Sequence, residues 1–82
     1  MIAGRIKKLD VAHRTAVITT QDNRDMAITF PEEATIEVAE PETMGTMGGE
    51  LADLEEGYYV EVEVGEHDAD GRWSCTSLVC VS

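Results

Sequence analysis

The chain has 82 residues, and 17 acidic side chains against 6 basic ones give it a formal net charge of −11. A chain this short predicts one domain over residues 1–82, with a small core and modest stability. Affinity for nucleic acid comes largely from basic side chains that neutralise phosphates, so the charge disfavours DNA, RNA and anionic membranes. A nucleic-acid site would need a local basic patch, for which the candidates are Arg5, Lys7 and Lys8, with Arg14 and Arg24.

The first half of the chain is typical of four short strands separated by turn residues. The first strand covers residues 2–9, and Gly4 marks a bend or a bulge in it. Ile6 and Leu9 are three positions apart, so both face inward only if a bulge lies near residues 7–8. The other three strands are residues 14–21, 25–30 and 34–38.

The middle of the chain is predicted to be a loop at residues 39–50, because a proline and three glycines interrupt the segment. A single helical turn follows near residues 50–55, where Leu51 and Leu54 can close one end of a barrel. Gly57 suits the left-handed backbone angles that end such a turn.

The clearest strand covers residues 58–64, where valine alternates with glutamate. This period of two predicts that Tyr58 and the three valines of the strand face the core. The side chains predicted to face water are Tyr59, Glu61 and Glu63.

A hairpin loop at residues 65–71 is predicted to lead into the last strand, residues 72–81. The tetrapeptide DADG in this loop is predicted to be a turn rather than a calcium site, because Val79 occupies the position of the bidentate glutamate. Strict alternation cannot bury Leu78 and both cysteines of this strand, so a second bulge is expected near residues 76–77.

The pattern as a whole predicts an all-β fold. It consists of six short strands with polar turns, and no strand is followed by a long amphipathic helix, which excludes parallel βαβ folds. A small barrel or a strongly bent sheet is therefore expected.

Cys75 and Cys80 lie five positions apart on one predicted strand. Their Cα atoms would be about 16 Å apart, beyond the roughly 7 Å that a disulfide can span. Two free, buried thiols are expected, as in a reducing compartment. The sequence shows no apolar run typical of a signal peptide or a membrane span, so we predict a cytoplasmic location.

Several segments, in their order, resemble small bacterial β-barrel domains of unknown function. The segments are GRIKKLD, TAVITTQDN, MAITF and GGELADLEEGYYVEVEV, and the shared mark is Leu51–x–Asp53–Leu54–x–x–Gly57–x–x–Val60–x–Val62. This resemblance implies a five- to six-stranded barrel similar to the oligonucleotide/oligosaccharide-binding (OB) fold, with one short helical turn near residues 50–55. The resemblance also implies a binding module, but it does not specify the ligand. The excess of acid and the two cysteines depart from the family's common pattern.

Met44, Met47 and His67 are the candidate metal ligands, because soft thioether sulfur suits copper(I). Copper-carrying barrels of OB type use methionine, histidine and a nearby tryptophan, and Trp73 is present here as well. The ligands of those carriers cluster on neighbouring strands, whereas these residues are scattered over two predicted loops. The alternative interpretation is that the methionines pack as adaptable apolar side chains and that the protein needs no cofactor.

Tyr59, Glu61, Glu63 and Trp73 form the candidate binding surface. An aromatic platform on an OB barrel stacks bases or sugars. Here the glutamates would repel nucleic acid and tolerate a neutral sugar or a basic peptide. The alternative is that Trp73 belongs to the core, where so large a side chain buries much apolar area.

No catalytic constellation is apparent, because neither histidine has a nucleophile at a suitable spacing and the glutamates are predicted to face water. The sequence favours a non-catalytic binding module, not an enzyme, whose partner is a protein with a basic surface. A barrel that binds a small ligand or copper(I) is the second interpretation, and single-stranded nucleic-acid binding is the third. An open strand edge would also allow strand addition by a partner or a second copy.

Overall fold

The computed structural model describes residues 1–40, 42 and 45–81. In this part of the chain it has seven strands and one turn of 3₁₀ helix, Leu51–Asp53. The strands are β1 (Ile2–Asp10), β2 (Thr15–Thr20), β3 (Asp25–Thr29), β4 (Thr35–Glu40), β5 (Gly45–Gly48), β6 (Tyr59–His67) and β7 (Trp73–Cys80). The predicted all-β fold with one short helical turn near residues 50–55 is confirmed. No helix among the described residues has the length and apolar character needed to cross a membrane.

Five of the strands close a barrel, in the order β3-β2-β1-β6-β7. The barrel closes because β3 also pairs with β7 in parallel, through Ile28 with Trp73 and Thr29 with Ser74. The other neighbouring strands of the barrel pair antiparallel. This is the predicted OB-like barrel. β3 pairs with the first residues of β7, and β4 pairs in parallel with its later residues, from Ser77 to Cys80. β5 pairs with β4, so β4 and β5 extend the sheet.

Apolar side chains from all five barrel strands fill the interior. The alternation in β6 follows the prediction, since Val60 and Val62 have no exposed surface while Glu63 is exposed. Each fully buried aliphatic or aromatic side chain contributes about 1.5–3 kcal/mol to folding. The largest of the fully buried side chains are Phe30, Ile18, Ile28, Leu78, Val60, Val62 and Cys75.

A bulge in β1 decides which of its side chains face inward. The register with β2 shifts between Ile6 and Lys8, so Lys7 is the extra residue. The shift buries Ile6 and lets Leu9 pack against the same core. It also leaves Lys8 exposed on the outer face of the strand. The predicted bulge near residues 7–8 is confirmed.

A second bulge lies in β7, where Thr76 is the extra residue between Cys75 and Ser77. Cys75 and Cys80 are consequently both buried, and neither forms a disulfide. Burial raises the pKa of the Cys75 thiol to about 11, so this thiol is protonated and unreactive near neutral pH. The predicted bulge near residues 76–77 is confirmed.

Residues 39–50 are not a loop throughout, which corrects the prediction for this segment. Gly45–Gly48 forms β5 and pairs antiparallel with β4. Glycine offers the same backbone donor and acceptor as other residues, so the available edge of β4 outweighs the low strand propensity of GTMG. β6 likewise continues to His67, past its predicted end at residue 64, because β7 pairs with it there.

The turn before β6 closes one end of the barrel. Leu51 and Leu54 are buried. The Glu50 N–H donates a hydrogen bond to Asp53 Oδ2, and the Asp53 N–H donates one to the Glu50 carbonyl, both at 2.9 Å. Gly57 then takes a φ of 94°, as predicted. The motif over residues 51–62 thus describes a way of building the barrel.

Asp68 shapes the hairpin between β6 and β7. Its Oδ1 accepts hydrogen bonds from the backbone N–H groups of Asp70 and Arg72, at 2.9 and 2.8 Å. Gly71 takes a φ of 82° in the same loop. The predicted hairpin turn at DADG is confirmed.

Candidate binding surfaces

The outer face of β6 carries the acidic residues that the sequence identified. Because the valines of β6 face inward, the side chains between them project outward. The strand registers continue this face across the sheet, since Glu61 lies opposite Val79 of β7, and Val79 lies opposite Glu37 of β4. We call this surface the acidic face, and it consists of Tyr59, Glu61, Glu63, Val79 and Glu37.

Within the described chain, no basic side chain forms an ion pair with a carboxylate of the acidic face. The ion pairs of that part of the chain are Lys7–Asp25 at 2.6 Å, Arg24–Asp22 at 3.3 Å and the pH-dependent pair His13–Asp10 at 2.7 Å. Glu37 accepts a hydrogen bond from the Thr46 hydroxyl at 3.1 Å, which leaves its charge unneutralised. Three carboxylates on neighbouring strands therefore create a local negative potential.

Tyr59 is held by two neighbours, and Trp73 lies elsewhere. The Arg5 guanidinium lies 5.6 Å from the centroid of the Tyr59 ring, and Gln21 donates a hydrogen bond to the Tyr59 hydroxyl at 2.8 Å. Trp73 instead packs against the core and contacts His67, with 4.6 Å between the ring centroids. The structure does not bring Tyr59 and Trp73 onto one platform, and the alternative in which Trp73 packs against the core describes its position.

The candidate metal ligands are spread over the structure. Met44 lies outside the described residues. Met47 is 52% exposed on β5, level with Cys80 at the C-terminal end of β7. His67 pairs with Trp73 at the other end of that eight-residue strand. The two ends are on the order of 20 Å apart at about 3.3 Å per residue, so Met47 and His67 are not brought together. No three of the described His, Cys, Asp and Glu residues are grouped to hold a metal ion.

A groove of about 460 Å³ is lined by residues of β1, β2 and β3 together with Glu56 and Arg72, and core residues such as Ala16 and Ile28 also contribute to its lining. Small-molecule sites have volumes of about 300–1,000 Å³. We call this groove the β1–β3 groove, and its lining includes Val17, Ala27, Lys8, Asp10, Glu56 and Arg72.

Sequence reasoning missed the β1–β3 groove. The predicted bulge in β1 is the one local signal that Lys8 lies outside the core, because without it Lys8 would share the face of Ile6. Nothing local indicates that Arg72, far along the chain, lies at the same groove, because that proximity depends on the pairing of β3 with β7.

The fold is similar to that of a solved copper complex. The chain aligns with a Cu(II) structure of Escherichia coli CusF carrying a tryptophan-to-alanine substitution, with a TM-score of 0.64 over 99% of this chain and 89% of that one. The two sequences are 11% identical, so the likeness concerns the fold alone. No protein-family model matches the sequence, and neither does any curated protein.

Proposed function

We propose that the protein is a non-catalytic binding module whose acidic face docks a protein with a basic surface. The observation that carries this proposal is the row of Glu61, Val79 and Glu37 across three neighbouring strands. Among the described residues, no basic side chain pairs with either glutamate of that row.

The acidic face combines an apolar centre with a charged surround, as protein interfaces commonly do. Val79 is half-buried, and Val81 beside it is 44% exposed. The Val81 N–H donates to the Tyr59 carbonyl at 2.9 Å, which keeps these apolar groups on one continuous sheet. Carboxylates around such a centre raise the rate of encounter with a basic surface and select against acidic ones.

The same proposal includes membership of the small bacterial β-barrel domains of unknown function and a cytoplasmic location. Two buried cysteines that are not joined in a disulfide suit a reducing compartment. A non-catalytic role is supported by the protonated state of Cys75, since a thiol must ionise to act as a nucleophile. The net charge of −11 weighs against nucleic acid as the partner.

We expect Glu61→Lys with Glu63→Lys to reduce the recovery of partner proteins in affinity capture from cell extract by on the order of tenfold or more. The reason is that the double change reverses two charges at the centre of the docking surface. The matched control is Glu32→Lys with Glu33→Lys, which changes the net charge equally on exposed residues between β3 and β4. Quantitative mass spectrometry of the captured proteins is the measurement.

The control decides whether the acidic face itself matters. Partners that are lost with the first pair of changes and retained with the second support the proposal. Equal loss with both pairs would mean that net charge alone governs capture, and the acidic face would have no specific role. Thermal melts of both variants show whether they remain folded.

A second candidate function is the binding of copper(I). It is supported by the fold likeness to a Cu(II)-bound CusF variant and by the proximity of His67 to Trp73. His67 is exposed at the end of β6, so its ring nitrogens are accessible to a metal ion. Met47 lies at the far end of β7 and would need to bind a separate ion.

Copper(I) at His67 is expected to quench Trp73 fluorescence, because the two rings lie 4.6 Å apart between centroids. The titration is performed anaerobically at micromolar metal. His67→Ala should abolish the quenching, whereas His13→Ala, which removes the other histidine from an exposed turn, should leave it intact. Unchanged emission of the unmodified protein would exclude this function.

A further inference from the structure

The protein has six basic side chains, and they differ in whether they form a hydrogen bond or an ion pair within the barrel. Four of them contact backbone carbonyls or carboxylates of the described chain, namely Arg5, Lys7, Arg14 and Arg24. The side chains of Lys8 and Arg72 make no hydrogen bond or ion pair to any described residue. Both line the β1–β3 groove. The two uncommitted cations of a strongly acidic protein therefore lie at one site.

The two acidic residues of the β1–β3 groove, in contrast, already have partners. The Oδ2 of Asp10 lies 2.7 Å from His13 Nδ1, and its Oδ1 accepts the His13 N–H at 3.2 Å. The Oε2 of Glu56 accepts the backbone N–H of Leu9 at 3.4 Å. Asp10 and Glu56 keep their charges, but each already accepts a hydrogen bond from the protein, whereas the side-chain donors of Lys8 and Arg72 are all available to a ligand.

The geometry allows both cations to contact one small ligand. Lys8 of β1 pairs with Val17 of β2, and Val17 pairs with Ala27 of β3. Arg72 immediately precedes the residue of β7 that pairs with β3. Measured along the curved sheet, three strand spacings, about 14 Å, separate the backbones of Lys8 and Arg72. Both residues line the same groove, so a small ligand bound there lies beside each of them.

We propose that the β1–β3 groove binds a small organic anion, whose carboxylate or phosphate group contacts Lys8 and Arg72 while its apolar body lies on Val17 and Ala27. Charge-assisted hydrogen bonds to lysine and arginine are the stronger class of hydrogen bond. The apolar side chains beneath them exclude water on one side. At 0.15 M salt the Debye length is about 8 Å, so the carboxylates of the distant acidic face weaken this local attraction little.

The test uses the full chain labelled with ¹⁵N and three probes of similar size, hexanoate, phenyl phosphate and hexylamine. Hexanoate or phenyl phosphate should shift the amide resonances of Val17 and Ala27 in a saturable manner. The probe that binds with the lower Kd shows whether the groove prefers a carboxylate or a phosphate group. Hexylamine should bind about tenfold more weakly or not at all. Binding of hexylamine as tight as that of the anions would overturn the proposal, since Asp10 and Glu56 would then govern the groove.

Matched variants separate contact from net charge. Lys8→Met and Arg72→Met should each weaken anion binding by on the order of tenfold, the effect of losing one charge-assisted contact. Lys7→Met and Arg24→Met remove the same charge from exposed residues that already pair with aspartates, and should change binding less than about twofold. Equal weakening by Lys7→Met and Lys8→Met, or no saturable binding of either anion, would overturn the proposal.

This inference is independent of the acidic face. The β1–β3 groove and the acidic face lie on different strands, so Glu61→Lys with Glu63→Lys should leave anion binding unchanged. Failure of the anion titration would not affect the protein-partner proposal, and failure of the capture experiment would not affect the groove.

Discussion

Replacing Val62 with aspartate is expected to unfold the protein at 25 °C. Val62 has no exposed surface and lies in β6 between Ile2 of β1 and Leu78 of β7. The described core contains no buried polar or charged residue that could pair with a carboxylate there. An unpaired buried charge destabilises a protein by about 3–5 kcal/mol or more. A domain this small has a total stability of about 5 kcal/mol.

Two neighbouring variants test the physical reason. Val62→Ala removes apolar contacts without adding charge and should destabilise by about 2–3 kcal/mol. Glu61→Gln changes the adjacent side chain on the outer face and should alter stability by less than about 0.5 kcal/mol. Urea denaturation followed by circular dichroism measures all three. If Val62→Asp and Glu61→Gln unfolded at the same urea concentration, the inward and outward faces of β6 would be wrongly assigned.

Gly4→Ala is expected to destabilise the protein by about 3 kcal/mol, although it adds only one methyl group. A Cβ at Gly4 would lie 2.3 Å from the carbonyl oxygen of Thr19 and 2.7 Å from Cγ2 of Ile18. The first contact is with backbone, so no change of side-chain rotamer can relieve it. β1 and β2 would have to move apart at this position, where their pairing forms part of the barrel wall.

Gly48→Ala is the matched control for Gly4→Ala. A Cβ at Gly48 meets no described atom within 4 Å, and its φ is not positive. We expect the free energy of unfolding of Gly48→Ala to stay within about 0.5 kcal/mol of that of the unmodified protein. Thermal melts of the two variants provide the comparison. Similar melting temperatures would show that β1 can move away from β2 without loss of packing.

The bulge in β1 links the fold to the proposed anion site. In a regular strand, Lys8 would share the face of Ile6 and point into the core. The extra residue at Lys7 shifts the alternation, so Lys8 lies on the outer face and Leu9 contacts the core. The same local irregularity therefore protects the core from a buried charge and places a cation at the groove.

The local pattern of the sequence was sufficient to determine the strands whose burial alternates strictly. In β6 a period of two separates valine from glutamate, and only one orientation of the strand buries the valines. The two bulges were predictable for a related reason, since the spacing of apolar residues in β1 and β7 does not fit a regular strand. Gly57 was predictable from its freedom to adopt a positive φ.

Only the tertiary structure decided the features that depend on a distant partner. GTMG becomes β5 because β4 offers it an edge, and Arg14 holds a φ of 54° while its side chain donates to the carbonyls of Phe30 and Pro31. The β1–β3 groove also depends on such a partner, since Lys8 and Arg72 line the same groove only because β3 pairs with β7. Hydrophobic periodicity specifies which side of a strand is buried, whereas strand pairing specifies which strands become neighbours, and that choice is made by contacts between residues far apart in the chain.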